Sequence, residues 1–177
     1  TYVELSDDGL TLVVGRPFAG TRSLVEYGHN KFLPRGEWSV YDWNDVDKEW
    51  SIRGSAQTLS DHTGGSGAAI GYHVKISDDG DTVVVGTGPQ GGTPSLYVYD
   101  YDGSNWNQRG PAITDQPGSL NPTQFPSRIS VDANIDFIAI GSYNWSTLTR
   151  EALHAAGKSG GEGKAWVVQY NAGTDTW

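Results

Sequence analysis

The chain has 177 residues, a formal net charge of −9 and a pI near 4.7, which opposes non-specific capture of nucleic-acid phosphates or anionic lipid, since both need clustered Lys and Arg. With 36% hydrophobic residues, 11% aromatics, 24 glycines and 7 tryptophans, it has the composition of a folded, turn-rich β protein and not of a disordered one. The absence of cysteine excludes disulfides and thiolate sites, and no apolar run approaches the roughly 20 residues that span a bilayer.

Residues 3–15 read VELSDDGLTLVVG, an alternating run broken at Asp8-Gly9 and closed by β-branched residues. This predicts two strands joined by a tight turn in which Gly9 takes positive φ without steric cost. Residues 16–36 contain Pro17, Gly20, Gly28, Pro34 and Gly36 with no sustained period, and read as a surface loop. Residues 38–43 alternate again, 44–47 turn and 49–52 pair back, which completes four strands. Residues 55–67, with Gly64-Gly65-Ser66-Gly67, read as a flexible crossing.

Residues 74–86, VKISDDGDTVVVG, repeat the first hairpin almost letter for letter. Residues 96–101 then match 38–43, and Trp106-Asn107-Gln108-Arg109-Gly110 matches Trp50-Ser51-Ile52-Arg53-Gly54. A polar crossing over 111–126 leads to a drifted third copy, 129–131 and 137–141, turning at Asp132-Ala133-Asn134-Ile135-Asp136. Residues 149–157 carry a threonine cap, good helix formers and a terminal glycine, the pattern of a short helix. Residues 164–170 supply the third strand of that unit, and Trp177 falls at the position of Trp50 and Trp106, within an incomplete fourth strand.

From Trp50 to Gly86 is 36 residues and from Trp106 to Gly141 is 35, so the repeat is regular outside one variable connection. Units of four antiparallel strands, about 59 residues each, describe an all-β fold of three β-propeller blades belonging to a larger propeller, with units 1–54, 55–110 and 111–177. Tryptophan carries much of the packing: burying one removes roughly 150 to 250 Å² from water, on the order of 4 to 6 kcal/mol before entropy.

These units resemble the FG-GAP class of propeller repeat found in integrin α chains and in tandem-repeat surface proteins of microbes and algae. Ile70-Gly71 and Phe125-Pro126 stand where that family has its phenylalanine-glycine element. Gly15-Arg16-Pro17 and Gly86-Thr87-Gly88-Pro89 stand at its glycine-alanine-proline element, while Gly141-Ser142-Tyr143 lacks the proline. The resemblance implies a propeller of about seven blades, of which three units are a part. Calcium-binding members carry spaced Asp or Asn ligands in a hairpin turn, whereas Ser6-Asp7-Asp8-Gly9 and Ser77-Asp78-Asp79-Gly80 are too short for an oxygen cage. The turns are also similar to the sialidase Asp-box, but four residues cannot hold that motif's two spacers.

For each candidate site there is a plainer reading. Asp100 and Asp102, with Asp42, Asp45 and Asp47 in the equivalent unit, place carboxylates on one rim, where they hold either a hard cation such as calcium or only their own turns. Asp78, Asp79, Glu37 and Glu151 offer carboxylates for glycoside hydrolysis, with nothing fixing their separation. His29, His62, His73 and His154 lack metal-ligand spacing, and the glycine-rich stretches lack the lysine and helix of a phosphate loop. Trp38, Trp43, Tyr97, Tyr99 and Tyr101 form either a sugar-stacking platform or packing between blades. Tyr143 and Trp145 are the aromatics of a long loop suited to a glycan, and Asn144-Trp145-Ser146 is a glycosylation sequon.

The expected function is a non-enzymatic structural or interaction module of an extracellular cell-surface, adhesive or filament-forming protein, without a cofactor. Its expected partners are further blades of the same chain or neighbouring subunits, because a short row of blades leaves apolar sheet faces bare. A carbohydrate-binding propeller is the alternative, and an acidic-residue hydrolase the third.

Overall fold

The computed structural model describes residues 1–20, 22–26, 29–33, 36–58, 69–88, 94–114, 125–143, 145–146, 148, 150–157 and 161–177, with 22–26, 29–33 and 150 described by backbone alone. The protein is all-β, and among the described residues no sheet closes into a barrel.

Sheet 1 forms from the alternating runs at β1 (Tyr2–Leu5) and β2 (Thr11–Arg16), then β5 (Glu37–Asn44) and β6 (Glu49–Ile52), in the order β1-β2-β5-β6. The turn between β1 and β2 is built by its own side chains. Ser6 Oγ donates to Asp8 Oδ1 at 2.7 Å and accepts from Thr11 N–H at 2.9 Å, Asp8 accepts from Leu10 N–H, and Gly9 takes φ +72°. The segment between β2 and β5, expected as loop, contains a hairpin instead: β3 (Arg22–Glu26) pairs β4 (His29–Leu33) from Arg22↔Leu33 to Glu26↔His29. Leu24 and Val25 opposite Lys31 and Asn30 give strand-forming residues in too short a run for periodicity to register.

Sheet 2 repeats the plan with β7 (His73–Ile76), β8 (Thr82–Gly86), β9 (Ser95–Tyr101) and β10 (Trp106–Gln108). Its turn repeats the first: Ser77 Oγ donates to Asp79 Oδ1 at 2.6 Å and accepts from Thr82 N–H at 2.9 Å. Past each Trp-x-x-Arg-Gly the chain rejoins its own sheet. Gln57 bridges Trp38, and β11 (Ile113–Thr114) pairs Leu96 and Ser95 of β9. Both crossings therefore begin as sheet, and the break that hid this lies at Gly54 (φ +73°) and Gly110 (φ +65°), where the outer strand bulges.

Sheet 3 comprises β12 (Arg128–Val131), β13 (Phe137–Ser142) and β14 (Lys164–Gln169), with the helix α1 (Arg150–Ala155) between β13 and β14. Beyond β14, Tyr170 N–H donates to Asp136 C=O and Asn171 bridges Thr176, so the chain turns back towards Trp177.

The sheets pack face to face with sheet 2 in the middle, and alternate residues of its strands serve the two layers. Val74, Ile76, Val83, Val85 and Trp106 meet Val13, Trp38, Val40 and Ile70 of the first layer. Val84, Leu96, Val98 and Ile113 meet Phe125, Ile135, Ile138 and Ile140 of the second. Burial on both faces explains why β8 is buried along its length and carries the apolar run Val83-Val84-Val85. The turns also line up: Asp7 N–H donates to Asp78 C=O, and Asp78 N–H to Ala133 C=O, which ties three sheets at one end.

Candidate interaction surface

The Trp-x-x-Arg-Gly element builds the contact between consecutive sheets. The bulge at Gly54 turns the Arg53 side chain inward, where its Nε lies 2.9 Å from both Asp42 oxygens and Nη2 donates to Thr11 Oγ1. From this seat on sheet 1, Nη1 crosses to sheet 2 and donates to Gly80 C=O at 3.0 Å and Asp81 Oδ1 at 2.6 Å. The guanidinium also stands 5.4 Å from the Tyr101 ring centre, and Trp106 Nε1–H donates back to Arg53 C=O at 3.3 Å. Burial opposes the Arg53 charge, but hydrogen bonds and attraction from Asp42, then Asp81, outweigh it and hold its pKa above the ordinary arginine value.

The same device joins sheets 2 and 3. Arg109 sits on Asp100 (2.8 and 2.5 Å) and Thr82, reaches Ile135 C=O at 3.1 Å, and stands 5.2 Å from the Tyr170 ring centre. Trp177 Nε1–H donates to Arg109 C=O at 3.2 Å, and a Cβ at Gly110 would lie 3.1 Å from that nitrogen. Trp177 thus occupies the place of Trp106, one sheet further on.

The forward corner of sheet 3 differs. The pairs Thr11↔Asp42 and Thr82↔Asp100 are replaced at the same register by Phe137↔Gln169, both exposed. On the opposite side of the molecule, sheet 1 turns its backward face outward. Val3, Leu5 and Trp50 are 63%, 51% and 39% exposed, whereas Val74, Ile76 and Trp106, at the same register in sheet 2, are 7%, 6% and 7% exposed.

A cavity of about 440 Å³ opens at the other end of sheet 3, lined by Ser127, Arg128, Gly141, Ser142, Tyr143, Gly163 and Lys164. Lys164 Nζ stands 4.6 Å from the Trp145 ring centre and 5.6 Å from that of Trp166. Among the described residues neither indole N–H finds a hydrogen-bond acceptor. Arg16, Lys48, Arg53, Lys75 and Arg109 each pair with a carboxylate, while Arg128 and Lys164 pair with none among the described residues. The cavity gave no sequence signal, because only the strand register brings the ends of β12 and β14 together around β13.

The sequence candidates fall as follows. Asp100 is engaged by Arg109, and Asp102 caps its turn by accepting from Ser104 and Asn105 N–H and from Asn107 Nδ2. Those bonds, the Asn105 and Asn107 ones foremost, lower the Asp102 pKa. Among the described residues no cluster of three or more His, Asp or Glu side chains is placed to hold a metal ion. Asp45 pairs with Lys48 and Asp47 accepts from Asn44. Glu37 pairs with Arg16 at the end of β2 opposite the turns that carry Asp78 and Asp79, a strand's length of about 17 Å away at roughly 3.4 Å per residue. Glu151 and His154 lie on α1.

Trp38, Tyr97, Tyr99 and Tyr101 pack between sheets 1 and 2, and burial pushes the Tyr99 hydroxyl up to about 12. Trp43 packs beside Trp50 with ring centres 5.5 Å apart. Tyr143 is 62% exposed at the cavity mouth, and Trp145 is engaged by Lys164. Asn144 and His62 lie outside the described residues, and the sequon's Ser146 is buried with its Oγ accepting from Leu148 N–H. No helix among the described residues is long and apolar enough to cross a membrane.

No protein-family model, curated protein or solved structure matches the chain.

Proposed function

We propose that the chain is a non-enzymatic interaction module, a row of propeller blades of the FG-GAP kind that stacks on further sheets through Arg–Trp staples. The observation that carries this reading is the face of sheet 1: Val3, Leu5 and Trp50 stand bare where the same positions of sheet 2 are buried. An apolar face of this kind marks a contact surface. Trp43 and Trp50 are at the register of Tyr101 and Trp106, the pair that receives Arg53. Sheet 1 therefore presents the receiving half of the staple to a preceding sheet, in the same chain or in a neighbouring subunit. The extracellular or cell-surface setting rests on the family resemblance and on the sequon at Asn144.

Light scattering tests the reading. The protein should associate at micromolar concentration, and Leu5→Asp with Trp50→Gln should leave a folded monomer. A cooperatively folded monomer of the unsubstituted protein would overturn it.

A further inference from the structure

The cavity on sheet 3 corresponds to a place that is filled on sheet 1. There the segment leading into β7 lies across the end of β2 and β5, with Ile70 bridging Gly36. The fit leaves no spare room: a Cβ on Gly71 would lie 2.5 Å from Glu37 C=O and 2.9 Å from Arg16 N, and one on Gly15 would lie 2.2 Å from Gly71 C=O. Glycine at 71, with φ +88°, is thus required twice over, by conformation and by contact. The strand register carries Gly15 onto Gly141, Arg16 onto Ser142, Glu37 onto Lys164 and Tyr2 onto Arg128. Those four positions of sheet 3 line the cavity. Among the described residues a Cβ on Gly141 would meet nothing nearer than Arg128 C=O at 3.9 Å, so none of them holds on sheet 3 the place that Ile70-Gly71 holds on sheet 1.

The second interface shows what the side chain at the Arg128 position does. His73, at that register in sheet 2, hydrogen-bonds to the Pro126 carbonyl in the segment leading into β12. Charge then distinguishes the three places. At the register of Tyr2 in sheet 1 and His73 in sheet 2, sheet 3 has Arg128, which pairs with no carboxylate among the described residues. Arg128 lies on the Gly141 face, whereas Lys164, next to the forward-facing Ala165, turns its ammonium to Trp145 and Trp166 on the other face. It is therefore the unneutralised Arg128 that, in a protein of net charge −9, favours an acidic occupant.

We propose that this cavity receives the lead-in segment of a further sheet of the same repeat, an extended peptide whose apolar-glycine step seats on Gly141 and whose flanking carboxylate meets Arg128. The proposal rests on the stacking reading and adds the chemistry of the partner at the forward end. Backbone contact along the open edge supplies affinity, the glycine supplies fit, and the carboxylate supplies selection.

The test is an amide NMR titration of the whole chain with three capped hexapeptides, DAIGYD, its alanine analogue DAIAYD and its neutral analogue NAIGYN. DAIGYD should shift the amides of Gly141, Ser142, Tyr143 and Gly163. DAIAYD should bind at least tenfold more weakly, and NAIGYN about fivefold more weakly at low salt, a difference that 0.5 M salt should remove. Arg128→Gln should abolish the preference for DAIGYD over NAIGYN. Gly141→Val, which fills the space without a left-handed φ, should block all three peptides while leaving the amides of sheets 1 and 2 unmoved. No response to millimolar DAIGYD, equal binding of DAIAYD, or shifts away from the cavity would overturn the proposal. So would a tetragalacturonate that moves these amides when the peptide does not, since that assigns the cavity to an acidic saccharide. The stacking reading is judged separately, at the opposite face, by Leu5 and Trp50.

Discussion

Sheets 2 and 3 present the same side chains backward and different ones forward. Backward, Tyr101 and Trp106 receive Arg53, and Tyr170 and Trp177 receive Arg109 in the same way. Forward, Thr82 and Asp100 seat an arginine in sheet 2, while Phe137 and Gln169 stand at that register in sheet 3. The bulk follows the same division: Trp38 in sheet 1 and Leu96 in sheet 2 are buried, and their counterpart in sheet 3 is the exposed Ala165. The backward half of each sheet is thus a constant receiver, and the forward half is where neighbours are distinguished.

Trp38→Ala is the largest way to break this contrast, because it gives sheet 1 the reduced forward face that sheet 3 already has. Trp38 is buried against Tyr99 (ring centres 5.0 Å) and Trp106 (5.4 Å). Its removal is expected to cost about 3 to 5 kcal/mol in urea unfolding. Hydrogen exchange should show the β1-β2-β5-β6 amides losing protection before those of β12 to β14, and uniform loss would refute the layered account.

Arg109→Ala is next. Its partner Asp100 is partly exposed, so solvent screening reduces the loss to about 2 kcal/mol. Lys should not rescue it, since one ammonium cannot span Asp100, Thr82 and the Ile135 carbonyl together. The converse change, Phe137→Thr with Gln169→Asp, transplants the arginine seat into sheet 3, where these positions are exposed. It should alter stability by less than about 0.5 kcal/mol. A large gain there would mean that sheet 3 already has an arginine to seat.

How far this was readable in advance depended on the range of each interaction. Ser6, Asp8 and Gly9 act within five residues of one another, and their spelling specified the turn. The recurrence of Trp-x-x-Arg-Gly was plain, but its role was not, because Arg53 acts on Asp42, Thr11 and Asp81, 11, 42 and 28 residues away. The hairpin β3–β4 escaped because five-residue strands give too few alternations among glycines and prolines. Arg128 and Lys164 are 36 positions apart in a chain with no motif linking them, so their shared cavity appears only once β12 and β14 flank β13.

The smallest expected effect sharpens the comparison by pH. His73 is largely buried beside Tyr72 and Tyr2, and burial, then the Arg128 charge, lowers its pKa despite the hydrogen bond to Pro126. In the unfolded chain its pKa is about 6.5. Between that value and the lower folded one the unfolded state binds more protons, so stability is full above about pH 6.5 and falls as pH drops towards the folded pKa. His73→Gln retains a side-chain donor for the Pro126 carbonyl but does not titrate, so it should flatten urea-midpoint profiles in that window. The residues at the same register in sheets 1 and 3 are Tyr2 and Arg128, so a histidine stands at this position in sheet 2 alone. The pH-sensitive loss should therefore appear as opening of the sheet 2–sheet 3 interface alone, and an equal loss between sheets 1 and 2 would place its source elsewhere.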